Sequence, residues 1–238
     1  MTRLEDLRVK IFADGADRAG IVALAASPFI TGFTTNPTLM NAAGLRDYEA
    51  FARDILLSVP DLPISFEVFS DNFDEMERQA LKIAAWGDNV NVKIPVTDCQ
   101  GITSGPLVRR LADLGVKTNV TAMMTNAQVE DMVPCLAGGP ACFVSVFAGR
   151  IADTGRDPVP IMERALECLA PYPHIELIWA SPREILNVVQ ADQIGCDVIT
   201  VTHDLLKKLP VLGYDLEQFS LDTVRMFFND ACAAGYSI

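Results

Sequence analysis

Short apolar runs alternate along the whole chain with longer segments in which apolar residues recur every three or four positions. Short runs rich in Val, Ile and Phe are typical of buried strands, whereas the longer segments are typical of amphipathic helices. Helices are predicted over segments that include Asp74–Trp86, Gly105–Leu114, Ile161–Leu169 and Arg183–Ile194. The eight predicted strands are Val9–Ala13, Ile30–Thr34, Ile64–Phe69, Val90–Ile94, Val116–Thr121, Cys142–Phe147, Glu176–Ala180 and Asp197–Val201.

This alternation favours an α/β fold in which helices cover a parallel sheet. The chain has 238 residues, so eight units of strand, loop and helix would each have about 30 residues, the usual length of such a unit. We therefore predict one (β/α)8 barrel domain over residues 1–238, with an open, doubly wound sheet as the alternative. No G-x-G-x-x-G motif follows a predicted strand, which weakens that alternative.

Composition excludes several classes of partner. Nineteen basic and 31 acidic residues give a formal net charge of −12, which repels nucleic-acid phosphates and anionic lipids. No segment offers about 20 consecutive apolar residues, and the N-terminal sequence lacks the apolar stretch of a signal peptide. We expect a cytoplasmic protein with neither a nucleic-acid nor a membrane partner.

A metal site is not expected either. The six cysteines contain no C-x-x-C pair, and only His174 and His203 could add imidazole ligands. We predict no metal, and we interpret the cysteines as reduced thiols that are mostly buried.

Residues two apart in a strand share a face, so sequence parity indicates which polar residues point into a barrel. In the fourth strand Asn89, Asn91 and Lys93 share one face, and the apolar residues between them share the other. The same parity groups polar residues in two neighbouring strands, Ser65 with Glu67 and Asn119 with Thr121.

These polar residues converge on one end of the predicted barrel. Asp14 ends the first strand, Asn36 follows the second, and Glu67 and Lys93 lie near the ends of the third and fourth. Active sites of (β/α)8 barrels lie where the carboxyl ends of the strands meet. We therefore predict the active site at this rim.

Lys93 is the candidate nucleophile. Burial disfavours the charged form of a lysine, and the free amine attacks carbonyl groups to form a Schiff base. The iminium accepts electrons during carbon–carbon cleavage, and Asp14 and Glu67 are candidates to move the protons. Each residue also has an ordinary interpretation: a strand-end lysine that reaches water, a helix N-cap at Asp14 and a salt-bridge partner at Glu67. Their convergence on one rim favours catalysis.

A second group follows the sixth and seventh strands. Arg150, Ser181 and Arg183 lie on adjacent loops, close to where barrels of this type often bind phosphate. Arginines are also common in exposed loops, so spacing alone leaves a phosphate site and a solvated loop as alternatives.

The motifs, taken in order, resemble those of the transaldolase family. The resemblance covers six or more of the eight units and continues to Leu209, and the joint occurrence of T-T-N-P with the lysine strand is highly specific. The motifs are F-A-D (12–14), T-T-N-P (34–37), F-E-V (66–68), V-N-V-K-I-P (90–95), T-N-V-T (118–121), S-V-F-A-G-R-I (145–151) and A-S-P-R (180–183).

The resemblance implies roles for individual residues. Lys93 matches the Schiff-base lysine, Glu67 matches a glutamate that moves protons through a water held by Thr121, and Asp14 matches an aspartate that assists bond cleavage. No cofactor is implied, and sugar phosphates are the implied small-molecule partners. Substrate contacts are implied for Thr35, Asn36, Asn119, Ser145 and Phe147 around a dihydroxyacetone unit, and for Arg150, Ser181 and Arg183 around phosphate.

The family also includes fructose-6-phosphate aldolases, which release free dihydroxyacetone. Aldolase-type members resemble one another in carrying glutamine at the position of Glu67 and tyrosine at that of Phe147. Both residues here are the transaldolase-type choice, so we expect transfer of dihydroxyacetone from a ketose phosphate to an aldose phosphate.

Three residues depart from the family pattern or lie near the rim without an assigned role: Val146, Pro182 and His203. They leave open a changed sugar-phosphate or sulfo-sugar substrate. A non-catalytic sugar-phosphate-binding protein is the remaining alternative, and it predicts damage among site residues that are intact here.

A homo-oligomer is also expected. The resemblance implies one of two assemblies. Short members of the family form rings of five or ten subunits in which the C-terminal segment contacts a neighbour, whereas long members form dimers. The tail Phe227–Ile238 has enough apolar residues for either a final barrel helix or such a contact.

Overall fold

The computed structural model describes residues 3–238, in which eight parallel strands pair in chain order and the last strand closes on the first. Helices follow each strand, so the predicted (β/α)8 barrel is confirmed. The strands are β1 Lys10–Asp14, β2 Ile30–Thr34, β3 Ile64–Glu67, β4 Val90–Pro95, β5 Thr118–Met123, β6 Cys142–Val146, β7 Ile175–Trp179 and β8 Val198–Thr202.

Two connections, those between β2 and β3 and between β6 and β7, contain two α-helices instead of the single helix that the periodicity predicts. Short 3-10 helices cover Leu4–Asp6 and Leu209–Val211. The α-helices are α1 Arg18–Ala25, α2 Pro37–Ala42, α3 Tyr48–Ser58, α4 Phe73–Ala84, α5 Gly105–Asp113, α6 Asn126–Leu136, α7 Ala148–Asp153, α8 Val159–Leu169, α9 Leu186–Gln193, α10 His203–Leu206 and α11 Leu216–Ala234.

Half of the strand boundaries differ from the prediction by one residue, and three differ by two: the end of β3 and both ends of β5. Two of these three differences have identifiable reasons. β3 ends at Glu67 and not at Phe69, because the Phe69 backbone N–H donates to the Gln79 side chain, 2.8 Å away, and leaves the sheet. β5 starts at Thr118 and not at Val116, because the Val116 N–H donates to the Leu111 carbonyl and closes the end of α5.

Asn89 does not point into the barrel, so that part of the parity prediction is wrong. It precedes β4, and its side-chain amide donates to the carbonyls of Val59 at 3.0 Å and Leu62 at 2.8 Å. Asn89 therefore stabilises the segment before β3, which lies at the amino ends of the strands, opposite the predicted site. Asn91 and Lys93 are buried, as expected for side chains on the inner face.

An apolar plug fills the lower half of the barrel. Phe12, Phe143, Ile178 and Val198 form a small buried cluster separate from the large core between strands and helices. The rings of Phe12 and Phe143 meet edge to face with centroids 5.6 Å apart. Gly32 makes room for this plug, because a Cβ there would lie 2.6 Å from the Phe12 ring.

Within residues 3–238, no helix is long and apolar enough to cross a bilayer, and no cluster of three His, Cys, Asp or Glu side chains could hold a metal ion. All six cysteines are free, but only Cys142 and Cys196 are buried, so the prediction of mostly buried thiols is wrong.

Candidate active site

A cavity of about 530 Å³ opens at the carboxyl ends of the strands. Ten of the twelve predicted site residues line it, whereas Thr35 and Asn119 lie behind its wall. The lining predicted residues are Asp14, Asn36, Glu67, Lys93, Thr121, Ser145, Phe147, Arg150, Ser181 and Arg183.

Lys93 is buried at the centre of this cavity, with 6% of its surface exposed. Its Nζ donates to the Thr35 backbone carbonyl at 3.0 Å and lies 3.3 Å from Glu67 Oε2. The register of the sheet explains the pair, because Glu67 of β3 lies directly beside Lys93 of β4. The amine therefore faces one carboxylate within a site that is largely closed to water.

Asp14 supplies a second carboxylate from the end of β1. The Thr34 hydroxyl donates to its Oδ1 at 2.7 Å, and the hydroxyl of Thr200 in turn contacts that of Thr34. Burial raises the pKa of Asp14 above its ordinary value, and the positive charge of Lys93 and the Thr34 hydrogen bond offset part of this effect. A raised pKa suits a carboxyl group that exchanges protons near neutral pH.

Thr34 and Thr200 were not predicted as site residues. Strand parity could have found both, since Thr34 of β2 lies beside Asp14 and Thr200 of β8 lies beside Phe12, two residues before Asp14 on the same face of β1. Thr34 has a single proton, which it donates to Asp14, so Thr200 is the donor in the contact between the two hydroxyls. The chain of hydroxyls thus fixes the orientation of the carboxylate.

The floor of the cavity is a closed hydrogen-bond network around Asn119. Its side-chain amide donates to Ser65 Oγ at 3.1 Å, and Ser145 Oγ donates to its Oδ1 at 2.7 Å. Asn119 is fully buried. Thr35 also lies behind the cavity wall. Its hydroxyl donates to the Ser65 carbonyl at 2.9 Å, and its own carbonyl accepts a hydrogen bond from Lys93 Nζ. Both residues support groups that line the cavity.

Thr121 presents a buried hydroxyl that has no hydrogen-bond partner among residues 3–238. β5 is irregular at this point, because its pairing with β6 shifts between Val120 and Met123 and Ala122 has φ of +66°. A buried hydroxyl at a polar cavity wall is suited to bind water or a substrate hydroxyl.

Asn36 combines two functions. Its Oδ1 accepts the Leu39 N–H at 2.9 Å and caps α2, which orients the side chain. Because the carbonyl oxygen is used in the cap, the amide nitrogen is the group that Asn36 can offer to a ligand.

The two predicted phosphate-binding arginines line the same cavity. The Arg150 guanidinium lies over the Phe147 ring, 5.4 Å from its centroid. Arg183 Nε donates to Asp153 Oδ1 at 3.1 Å, an ion pair that the sequence analysis did not predict. Asp153 ends α7, thirty residues before Arg183, and no helical spacing links the two residues in the sequence. Arg183 is therefore oriented by a partner before any ligand binds.

Arg150 lies on α7 and not on a loop as predicted, and α7 touches the loop after β7, which carries Arg183, through the two backbones. A Cβ on Gly149 would lie 1.5 Å from the Ser181 carbonyl oxygen, so only glycine allows this approach. Ser181 itself has φ of +61°, a left-handed conformation that is uncommon outside glycine. The contact fixes α7 and the loop after β7 relative to each other.

His203 does not line the cavity. Its ring packs against Gly15 and Gly20, where a Cβ would come within 2.5 to 2.6 Å of the ring nitrogens. Burial lowers the pKa of His203, which favours the neutral imidazole.

A closed barrel whose strand ends bring a buried lysine, two carboxylates and two arginines to one cavity has the architecture of a (β/α)8 barrel enzyme. Comparison with known proteins makes the assignment specific. Residues 11–237 match the model of the family described as transaldolase/fructose-6-phosphate aldolase, and the chain belongs to that family.

Relatives at moderate identity agree with this membership. A protein of Carboxydothermus hydrogenoformans named "probable transaldolase" is 35% identical over 218 residues, which cover 90% of this chain and 97% of the relative. Another of that name from Thermoplasma volcanium is 35% identical over 84% of this chain and 87% of its own.

Solved structures extend the likeness in fold alone. The crystal structure of 2,3-dimethylmalate lyase aligns with a TM-score of 0.54 at 15% identity, covering 98% of this chain and 86% of that one.

Proposed function

We propose that the protein is a transaldolase that carries a dihydroxyacetone unit on Lys93 from a ketose phosphate, of the fructose 6-phosphate or sedoheptulose 7-phosphate type, to an aldose phosphate. The observation that carries the proposal is the burial of the Lys93 amine at the cavity centre, 3.3 Å from the Glu67 carboxylate. Family membership supports the same reaction class.

The reaction begins when the Lys93 amine adds to the ketose carbonyl and water leaves, which forms an iminium ion. The bond between the third and fourth substrate carbons then breaks, and its electron pair is delocalised into the iminium. Asp14 takes the proton of the hydroxyl on the fourth carbon, and the first aldose phosphate leaves. A second aldose phosphate accepts the three-carbon unit by the reverse steps, and hydrolysis frees Lys93.

Glu67 is placed for the proton transfers of iminium formation and hydrolysis. Its carboxylate contacts the amine directly, and the free hydroxyl of Thr121 lines the same cavity. A water between these two groups would move protons to and from the substrate, which is the relay that the family resemblance implies.

The phosphate of the substrate would bind between Arg150, Ser181 and Arg183. Guanidinium groups match phosphate oxygens in geometry and charge, and α7 and the loop after β7, which carry them, are held in contact. Asn36, Ser145 and Phe147 line the remaining wall, where the dihydroxyacetone unit would lie.

Borohydride trapping tests the covalent step. Fructose 6-phosphate and borohydride should add one reduced adduct to the intact chain, located on Lys93 by peptide mass spectrometry. Lys93→Ala should gain none. Lys10→Ala is the matched control, since Lys10 lies exposed at the opposite end of the barrel, and it should be labelled like the wild type. Absence of a wild-type adduct, or an adduct on the Lys93→Ala chain, would refute the mechanism.

We favour transfer over release of free dihydroxyacetone because position 147 offers a phenyl ring and position 67 a carboxylate. A phenyl ring cannot donate a proton to the carbanion, so the three-carbon unit should remain on Lys93 until an acceptor arrives. Fructose 6-phosphate with erythrose 4-phosphate should give sedoheptulose 7-phosphate at least tenfold faster than fructose 6-phosphate alone gives dihydroxyacetone. Equal rates would establish the aldolase alternative instead.

A further inference from the structure

Tyr48, a residue outside the barrel, holds the backbone of Glu67 with two hydrogen bonds. It begins α3, in the connection between β2 and β3. The Glu67 N–H donates to Tyr48 Oη at 2.7 Å, and the Tyr48 hydroxyl donates to the Glu67 carbonyl at 3.1 Å. One phenol therefore satisfies both backbone groups of the last residue of β3.

The sheet explains why Glu67 requires this partner. β2 and β3 pair only as far as Thr34 and Ser65, after which the Thr35 N–H donates to the Ser65 carbonyl. If the parallel ladder continued, the Thr35 carbonyl would accept the Glu67 N–H. It accepts Lys93 Nζ instead, at 3.0 Å. The Tyr48 hydroxyl takes the place of the missing ladder bond.

The ring of Tyr48 is held so that its hydroxyl stays at this position. It meets Phe66, Phe69 and Trp86 with centroid separations of 5.9, 4.5 and 5.5 Å, all edge to face. Edge-to-face contacts of this kind stabilise aromatic pairs beyond the burial of area. Three such contacts on one ring leave it little rotational freedom.

The Tyr48 hydroxyl also stays protonated across the pH range of an assay. Burial raises the pKa of Tyr48 well above its ordinary value, and the neighbouring Glu67 backbone lowers it only in part. The hydroxyl therefore keeps its proton and acts as donor and acceptor at once.

We propose that Tyr48 is a positioning residue of the active site. By replacing the ladder bond of Glu67 it leaves the Thr35 carbonyl free to bind the Lys93 amine, and it fixes the Glu67 carboxylate beside that amine. This inference rests on the proposed roles of Lys93 and Glu67, but it concerns a side chain that need not touch the substrate.

Tyr48→Phe tests the proposal because it keeps the ring and removes only the hydroxyl. The Glu67 N–H then competes for the Thr35 carbonyl, which weakens the placement of both Lys93 and Glu67. Two hydrogen bonds are lost and the Glu67 N–H regains a partner at Thr35, so we expect kcat to fall about tenfold, the size of one hydrogen bond lost net, with KM within about twofold of the wild type. Tyr172→Phe, in the loop before β7, is the matched control and should leave kcat and KM unchanged.

A double-mutant cycle distinguishes positioning from a general structural effect. In a Glu67→Gln background the carboxylate that Tyr48 positions is absent. Tyr48→Phe should therefore lower the residual kcat by less than about twofold. A tenfold effect in both backgrounds, or wild-type kcat in the single variant, would overturn the proposal. Borohydride trapping on Tyr48→Phe should still label Lys93, whereas failure of the proposed function would show as no adduct in the wild type.

A second variant keeps the test decisive if Tyr48→Phe is unstable. Phe66→Leu retains the hydroxyl but removes one of the rings that hold Tyr48. It should lower kcat by about threefold in the wild-type background and by a smaller factor with Glu67→Gln. An unchanged kcat, or equal losses in the two backgrounds, would contradict the positioning role.

Discussion

Asp14 is a buried carboxylate whose ionised form lowers the stability of the folded protein. Burial raises its pKa, so the folded state binds a proton more readily than the unfolded state. The stabilising contribution is therefore complete below the unfolded pKa and is lost as pH rises through the folded pKa. Above the folded pKa the ionised carboxylate destabilises the fold, and its retention fits a catalytic role.

Asp14→Asn should therefore be more stable and less active than the wild type. The amide oxygen still accepts the Thr34 hydrogen bond, while the buried charge is gone. Thermal unfolding at pH 7.5 should show a higher midpoint, and kcat should fall about 100-fold because a proton acceptor is lost. Asp113→Asn, at an exposed position, should change neither quantity. A lowered midpoint for Asp14→Asn would contradict this account.

His203 gives stability a pH dependence of the opposite sign. Its pKa is lowered by burial, although Asp17, Asp14 and Asp204 favour the charged form and Lys207 opposes it. The unfolded chain therefore binds the proton at higher pH than the folded chain does. The stabilising contribution of His203 is therefore present above the ordinary histidine pKa of about 6.5 and is lost as pH falls through the lower folded pKa.

Urea unfolding at pH 8.0 and 5.5 measures this effect. The free energy of unfolding should fall less between these pH values in His203→Gln than in the wild type. Identical pH dependence in His203→Gln and the wild type would show that His203 does not couple protonation to folding.

The predictable part of the site is the part that strand parity governs. Glu67, Lys93 and Thr121 line the cavity because their positions on the inner face follow from an alternation of period two. Asn119 lies one layer deeper than Thr121, a distinction that parity alone cannot make. Tyr48 lies on a helix outside the barrel, so no strand rule indicates that its hydroxyl reaches Glu67.

The contact between α7 and the loop after β7 leaves no space for a side chain at position 149 of the proposed phosphate site. Gly149→Ala would place a methyl group 1.5 Å from the Ser181 carbonyl oxygen, and backbone cannot yield as a flexible side chain does. The variant should lose about 1–3 kcal/mol of stability. KM for the sugar phosphate should rise about tenfold, because α7 with Arg150 and the loop with Arg183 move apart.

Gly138→Ala is the control for this prediction, because nothing lies within 4 Å of the corresponding Cβ. Urea unfolding and steady-state kinetics on both variants give the comparison. A Gly149→Ala enzyme with unchanged stability and KM would show that α7 and the loop after β7 are not mechanically coupled.

At the scale of elements, the order and type of strands and helices are predictable because each buried strand is a short apolar run. The local deviations are not. The shift in β5 occurs at Ala122, whose φ of +66° no sequence rule predicts for alanine. β3 is short because side chains of Tyr48 and Gln79 take over its backbone hydrogen bonds, and such tertiary contacts leave no periodic signal.

The whole molecule is acidic, but the cavity is not. The charge of −12 is spread over the surface, whereas Lys93, Arg150 and Arg183 face the cavity together with Asp14 and Glu67. Net charge therefore gives information on large anionic partners and little on a small anionic substrate, whose binding depends on charges within a few ångströms.

The C-terminal helix α11 leaves an apolar surface uncovered. None of its 19 residues is buried by the rest of the chain over residues 3–238, so it does not act as a final helix packed on the barrel. Val224, Phe227 and Phe228 lie at helical spacing and are 60%, 63% and 68% exposed. Exposed apolar faces of this kind mark protein interfaces, and we propose that a second copy of the chain covers this one.

Light scattering coupled to size-exclusion chromatography tests that proposal at the scale of the whole molecule. The wild type should elute as a homo-oligomer, and a variant with both Phe227→Ser and Phe228→Ser should dissociate, because burial of two phenyl rings stabilises an interface by several kcal/mol. Leu57→Ser is the matched control, since that leucine is 84% exposed on α3 and should leave the mass unchanged. A monomeric wild type, or a double variant of undiminished mass, would show that α11 is not the subunit contact.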